Sequence, residues 1–264
     1  MQGFQKVVGH QEIITHLQNA ISMNKVSHAY LFGGESGSGK KMMASLFAMT
    51  LQCEKHGVEP CMECPSCKKA QSQNHPDIIY VKHEKPNTIS IDEIREQLIN
   101  DVMIKPYSSP YKIYIIDEAQ KLTLQAQNAL LKTIEEPPAY AVVMLLADNP
   151  DALLPTISSR CVQLNLKPVG DQLVKDYLMN EMHVPDYQAE VDASLAQGNI
   201  GKAERIARSP EYEETLESAL RMAKYADSMP LYEIVETIKK LTAEKDNIDD
   251  YFDIFSLSLI HISE

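Results

Sequence analysis

The run Gly34-Glu35-Ser36-Gly37-Ser38-Gly39-Lys40-Lys41 has the spacing of a phosphate-binding loop, G-x-x-x-x-G-K-[ST], at every position but the last. In such a loop, backbone N–H groups wrap the phosphates. The lysine reaches the outer phosphates, and a Ser or Thr hydroxyl holds Mg²⁺. Lys41 stands where that hydroxyl is needed. A charged lysine cannot ligate a metal. At ~4 Å, two unit charges repel by about 1 to 4 kcal/mol across effective dielectrics of 80 to 20, and roughly twice that against a divalent ion. Gly34, Gly37, Gly39, Lys40 and Lys41 therefore outline a nucleotide site that is a poor Mg-ATPase. Asp117-Glu118-Ala119 follows the apolar run Lys112–Ile116. Carboxylates at the C-terminal end of a buried strand face the ligand crevice of an open α/β sheet. Asp117 could sit near a metal and Glu118 orient a water; the alternative is an ordinary solvated strand end.

Cys53, Cys61, Cys64 and Cys67 form the third group. Two C-x-x-C steps let neighbouring thiolates converge, and Cys53 supplies a fourth corner. Four sulfurs suit a closed structural zinc site with no open position for catalysis. Four free thiols or two disulfides are the alternative. His56 and His75 lie nearby and read as surface residues. The fourth group is Ser159-Arg160-Cys161. An arginine at a domain edge can reach a neighbour's triphosphate, but spacing alone favours a local salt bridge for Arg160. Cys161 by itself reads as a buried small apolar residue.

Elements of two kinds must position these groups. Gln11 to Asn24 carries a helical stripe of Ile13, Ile14, Leu17, Ala20 and Ile21. Ala29–Phe32 is a short apolar strand entering the glycine loop, and residues 40–52 read as a helix. Strands are expected at 77–81, 112–116, 141–146 and 162–164. Helices are expected from Ser90, with Glu93 at capping-box spacing, to about Asn100, and from Leu124 to Glu135 before Pro137-Pro138. Met42, Met43 and Met49 read as core. Alternating strands and helices imply a parallel sheet covered on both faces. The pattern changes near Lys167, after which only helices are expected. The reading is an α/β P-loop domain over 1–166 with a cysteine module at about 53–67, a small helical domain over 167–208, and further helices over 209–264.

Composition bounds the function. The chain has 264 residues and a formal charge of −12, which argues against broad electrostatic capture of nucleic acid. No apolar run reaches the ~20 residues of a membrane helix, and Met-Gln-Gly-Phe-Gln-Lys lacks a signal-peptide core. A soluble cytoplasmic protein is expected, in which metal binding by the cysteines is favoured over disulfides.

Together, Val8-Gly9-His10, His28-Ala29-Tyr30-Leu31-Phe32-Gly33-Gly34, the cysteine insert, Asp117-Glu118-Ala119, Asn128–Pro138 and Ser159-Arg160-Cys161 resemble the bacterial clamp-loader AAA+ subunits over about residues 4–208. The resemblance implies an AAA+ domain, a helical lid and a helical collar. Its implied partners are the tau/gamma motor subunit, the delta subunit, the sliding clamp and primed DNA. Motor subunits carry Thr at the place of Lys41 and a nucleotide-sensing arginine at the place of Gly201. Their first sensor threonine falls at Ala147 or Asp148. These departures imply a stator with a vestigial ATP site, and the resemblance implies that Arg160 completes a neighbour's site in trans. An ATP-hydrolysing motor is the alternative, and zinc-dependent nucleic-acid binding a third. Residues 209–264 look too short for a full collar, so a truncated chain is expected.

Overall fold

The computed structural model describes residues 3–208. The chain divides into two compact units, 1–168 and 169 onward. In the first unit, five parallel strands form one sheet: β1 (Ala29–Gly33), β2 (Ile78–Val81), β3 (Lys112–Ile116), β4 (Ala141–Ala147) and β5 (Val162–Asn165), in spatial order β2-β3-β4-β1-β5. All residues of β1, β3 and β4 are buried, as sequences apolar on both faces require. Alternation sorts them into two cores. Tyr30, Phe32, Ile113, Ile115, Met144 and Leu146 face one side, and Ala29, Leu31, Tyr114, Ile116, Val143 and Leu145 the other.

The first face is covered by α1 (Gln11–Ser22), α2 (Lys40–Leu51) and α3 (Pro65–Gln71). The second is covered by α4 (Ile91–Ile94), α5 (Leu124–Glu135) and α6 (Pro155–Ser158). The capping box forms: Glu93 N–H donates to Ser90 Oγ, and Ser90 N–H to Glu93 Oε2. The helix expected to run to Asn100 is α-helical only to Ile94. It continues as a π-helix over Arg95–Ile99, with Asn100 N–H bonded five residues back to the Arg95 carbonyl. Ile94 and Leu98 stay buried through this change of pitch. Thr123 caps α5, whose buried positions Ala126, Leu130 and Ile134 recur at helical spacing.

Two core assignments are corrected. Met43 and Met49 are buried, but Met42 is exposed, because it lies on the outer face of α2 beside the glycine loop. His75 is not a surface residue. It is 4% exposed, drawn in by hydrogen bonds at both ring nitrogens.

The second unit holds α7 (Asp171–Glu181), α8 (Asp186–Ala196) and α9 (Ile200–Arg208) around Val174, Leu178, Ala189, Ala193, Ala203 and Ile206. Gly198 takes a left-handed φ of 78° in the turn before α9, where Asn199 Oδ1 accepts the Lys202 N–H. Gly201 lies in the first turn of α9 and has no side chain to sense a ligand. The expected collar, 209–264, falls outside the described residues. Among those described, no helix is long and apolar enough to cross a membrane.

Candidate nucleotide site and metal centre

Sheet register assembles the site. Gly33 pairs with Ala147 and Leu145 with Ile116, so β1, β4 and β3 end side by side. The glycine loop leaves β1, Asp148 follows β4, and Asp117 follows β3. A cleft of about 360 Å³ opens among Ser36, Gly37, Gly39, Lys40, Lys41, Asp117, Glu118 and Asp148. The strand-end rule for α/β sheets places a ligand there. A larger, more open cleft of about 610 Å³ runs beside β2 past Asp77, Lys105 and Tyr107. It lacks any phosphate-binding loop, so the smaller cleft is the one with chemistry.

The loop needs its glycines. Gly34 has a φ of 147°, and a Cβ there would stand 2.7 Å from the Leu166 carbonyl oxygen. Gly39, at φ 95°, turns the chain into α2. His10 packs against the loop through a hydrogen bond with the Ser38 backbone, and burial lowers its pKa. Ser38 Oγ is buried without a hydrogen-bond partner.

The charged groups are matched among themselves. Lys40 Nζ donates to the Gly34 carbonyl at 2.7 Å, the Glu35 carbonyl at 2.8 Å and Asp148 Oδ1 at 2.6 Å. Lys41 Nζ lies 2.9 Å from Asp117 Oδ2. Glu118 is paired with Lys121 at 2.6 Å and His83 at 3.4 Å. Its left-handed φ of 51° is a conformation a non-glycine residue rarely holds. The arrangement lacks the hydroxyl that ligates a metal in such loops, and both Asp117 and Lys40 face opposite charges. Asp148, which the sequence offered only as one of two places for the first sensor threonine, joins the site through its contact with Lys40, and that contact was not foreseen. Its place after a buried strand adjacent to the loop strand was the available signal.

Arg160 is not brought to this cleft. It precedes β5, and with β1 and β5 paired in parallel it lies toward the N-terminal ends of the strands, about 15 Å of strand rise from the loop at their C-terminal ends. Its guanidinium lies 3.0 Å from Glu135 Oε1 and donates to the Thr156 carbonyl at 2.9 Å. Cys161 is half-buried, and burial pushes its thiol up to about 12.

The four remaining cysteines converge. No disulfide joins them, and their Sγ atoms all lie within 4.8 Å of one another. Cys64 caps α3 by accepting the Cys67 N–H at 3.3 Å, and Cys61 Sγ accepts the Cys64 N–H at 3.4 Å. Backbone N–H groups of Cys64 and Glu63 lower the Cys61 thiol to about 6, whereas burial raises that of Cys67. The cluster fits one metal ion: N–H donors aimed at sulfur stabilise thiolates, and a cation removes their mutual repulsion. Behind it, Ser66 Oγ bonds the Gln52 carbonyl at 2.6 Å and His75 Nε2 at 3.0 Å. His56 is exposed and takes no part.

A parallel sheet in this order, with a glycine loop between β1 and α2, defines a P-loop domain of the AAA+ type. Residues 9–170 match the family described as DNA polymerase III, delta subunit. The chain belongs to this family, and with it to the clamp-loader subunits of DNA polymerase III. It is 38% identical over 208 residues to DNA polymerase III subunit tau of Bacillus subtilis, covering 76% of this chain and 36% of that protein. It is 35% identical over 207 residues to subunit delta' of the same organism, covering 78% and 61%. The chain thus spans about a third and three fifths of those two relatives. Among solved structures, a gamma-subunit-related protein of Thermotoga maritima aligns with a TM-score of 0.51 at 21% identity, over 92% of this chain and 77% of that one. The Thermotoga maritima RuvB Holliday junction branch migration motor aligns at 0.53 and 18%, over 95% and 74%. Both likenesses concern the fold.

Proposed function

We propose that this chain is a stator subunit of the clamp loader, of the delta-prime kind. Its own nucleotide site is silent, and it takes part in loading the sliding clamp at primed DNA. The observation that carries the reading is the Lys41–Asp117 pair at 2.9 Å. An ammonium stands at the position where a motor needs a hydroxyl and a magnesium ion. The second unit serves as the helical lid, and the tau/gamma motor and delta subunits are the partners in a cytoplasmic complex. The cysteine module holds structural zinc, because four thiolates with no open position suit that ion. Arg160, remote from its own cleft and held in place by Glu135, is presented to the ATP site of the neighbouring motor. A motor function of its own is the second reading, favoured by the 38% identity to tau and by the presence of Lys40, Asp117 and Glu118.

Reconstitution with motor and delta subunits tests both readings. The chain alone is expected to show no Mg-dependent ATP turnover. Arg160→Ala is expected to lower turnover by the complex by about 10³-fold or more. The same change should barely move the chain's own stability, since an exposed ion pair contributes roughly 0.2–1 kcal/mol. Turnover by the isolated chain would restore the motor reading, and an unchanged complex would end the role of Arg160.

A further inference from the structure

The silent site has two separable causes, and only one of them is Lys41. Lys40 is 7% exposed. An ammonium has three protons to donate, and the Gly34 carbonyl, the Glu35 carbonyl and Asp148 Oδ1 take all three. The two carbonyls belong to the loop itself. Asp148 is different: it is an anion in contact with the group that should meet an anionic ligand. It is also held there. Gln120 Nε2 donates to Asp148 Oδ2 at 3.3 Å, and Gln120 Oε1 accepts the Asp148 N–H at 3.2 Å. The backbone register fixes the same place, because Gly34 N–H bonds the carbonyl of Ala147, the residue before Asp148. Across the cleft, the Lys41 ammonium faces the Asp117 carboxylate. A magnesium nucleotide brings an anion and a cation, and each meets a resident group of its own sign.

We propose that the cleft is a self-filled nucleotide site, with the Asp148 carboxylate in the place of a phosphate and the Lys41 ammonium in the place of its metal ion. The proposal rests on the silent-site reading above and assigns the two contacts that make the site silent. The two act on different charges, so they come apart on substitution. Without the charge of Asp148, Lys40 can turn to a phosphate while Lys41 still supplies a fixed cation. The site then takes a nucleoside diphosphate or triphosphate without a divalent ion. With threonine at position 41 as well, Asp117 is free and a hydroxyl is present, so binding becomes dependent on Mg²⁺.

Calorimetric titration of ADP and ATP, with Mg²⁺ or with EDTA, into the wild type, Asp148→Ala, Lys41→Thr and the double variant tests this. Asp148→Asn repeats the first substitution with a side chain of the same shape, should alanine disturb the fold. The wild type and Lys41→Thr are expected to give no heat at millimolar nucleotide. Asp148→Ala or Asp148→Asn should gain ~10- to 100-fold in affinity, in EDTA as in Mg²⁺, the range expected when one charge-assisted hydrogen bond changes partner. The double variant should bind at least ~10-fold tighter with Mg²⁺ than with EDTA. If folded position-148 variants stay as silent as the wild type, the two-contact proposal fails and the silent-site reading stands. If Lys41→Thr alone restores Mg-dependent binding, Asp148 has no part and the proposal fails again. Micromolar binding of Mg-ATP by the wild type would overturn the silent-site reading itself.

Discussion

Replacing Cys64 with serine removes one corner of the sulfur cluster. A tetrahedral zinc with Zn–S bonds of ~2.3 Å holds its sulfurs ~3.8 Å apart. Cys61 and Cys67 already stand at 3.9 Å, and no pair exceeds 4.8 Å. Shifts of roughly half an ångström per sulfur therefore complete the site. Structural zinc contributes about 10–16 kcal/mol in small modules, so one ligand of four accounts for roughly 2.5–4 kcal/mol, near 100-fold or more in affinity. The module is not an appendage. Cys53, Cys64 and Cys67 lie in the same core as Phe4, Leu46, Phe47 and Met49. Glu59, in the same loop, accepts from Phe4 N–H at 2.9 Å and Gln18 Nε2 at 2.6 Å. Loss at the metal should thus be felt by the whole first unit. A change of that size lowers the melting midpoint by roughly 5–15 °C in a domain of this length. The assay is metal content by atomic emission together with thermal melts, all in reductant. The wild type should hold one zinc, Cys64→Ser under about half an equivalent, and Cys161→Ser a full equivalent. A Cys64→Ser protein that keeps its metal and its midpoint would refute the argument, as would a wild type that melts identically with and without chelator.

Two further outcomes follow from single side chains. His75 Nδ1 accepts the Asp77 N–H at 3.1 Å, so it must be unprotonated, and Nε2–H faces Ser66 Oγ. Burial lowers its pKa below the ordinary value of 6.5. The folded state then binds the proton less readily than the unfolded one. Its contribution to stability is complete above about pH 6.5 and declines as pH falls toward the folded pKa. Melting curves from pH 7.5 to 5.5 should show a steeper fall for the wild type than for His75→Gln, and parallel curves would contradict this. Gly34→Ala places a Cβ 2.7 Å from the Leu166 carbonyl oxygen at a φ of 147°. Denaturant unfolding should show a loss of about 1–3 kcal/mol, and an unchanged midpoint would mean that the loop relaxes freely.

The strands were legible because burial on both faces writes continuous apolar runs, as in Lys112–Ile116 and Ala141–Ala147, and short runs have few other uses. The cysteine cluster was legible because its chemistry depends on residue type and spacing. The π-helical turn over Arg95–Ile99 was not, since α and π pitches share the same apolar residues and differ only in which carbonyl accepts. His75 was misread because histidine is ordinarily half-exposed; its burial depends on Ser66 and Ser109, which only the folded chain brings to its Nε2. The Lys40–Asp148 contact spans 108 residues of sequence. It becomes visible only when β1 and β4 are known to be neighbours.

That contact also explains why a silent site would keep its lysine. In an active loop, Lys40 is needed for phosphate. Here its ammonium joins the loop backbone at Gly34 and Glu35 to the end of β4 at Asp148. It is a nearly buried cation with every donor used, so removing it leaves Asp148 without its counter-charge and two loop carbonyls without a donor. The cost is that of the lost hydrogen bonds, because the half-exposed Asp148 keeps its water and its bond from Gln120 while the two loop carbonyls lose their donor. The lysine of this loop has therefore become part of the joint between β1 and β4. A Lys40→Ala substitution should destabilise the chain in thermal melts run without any nucleotide. The same substitution in a site that works only by gripping phosphate would act chiefly on affinity.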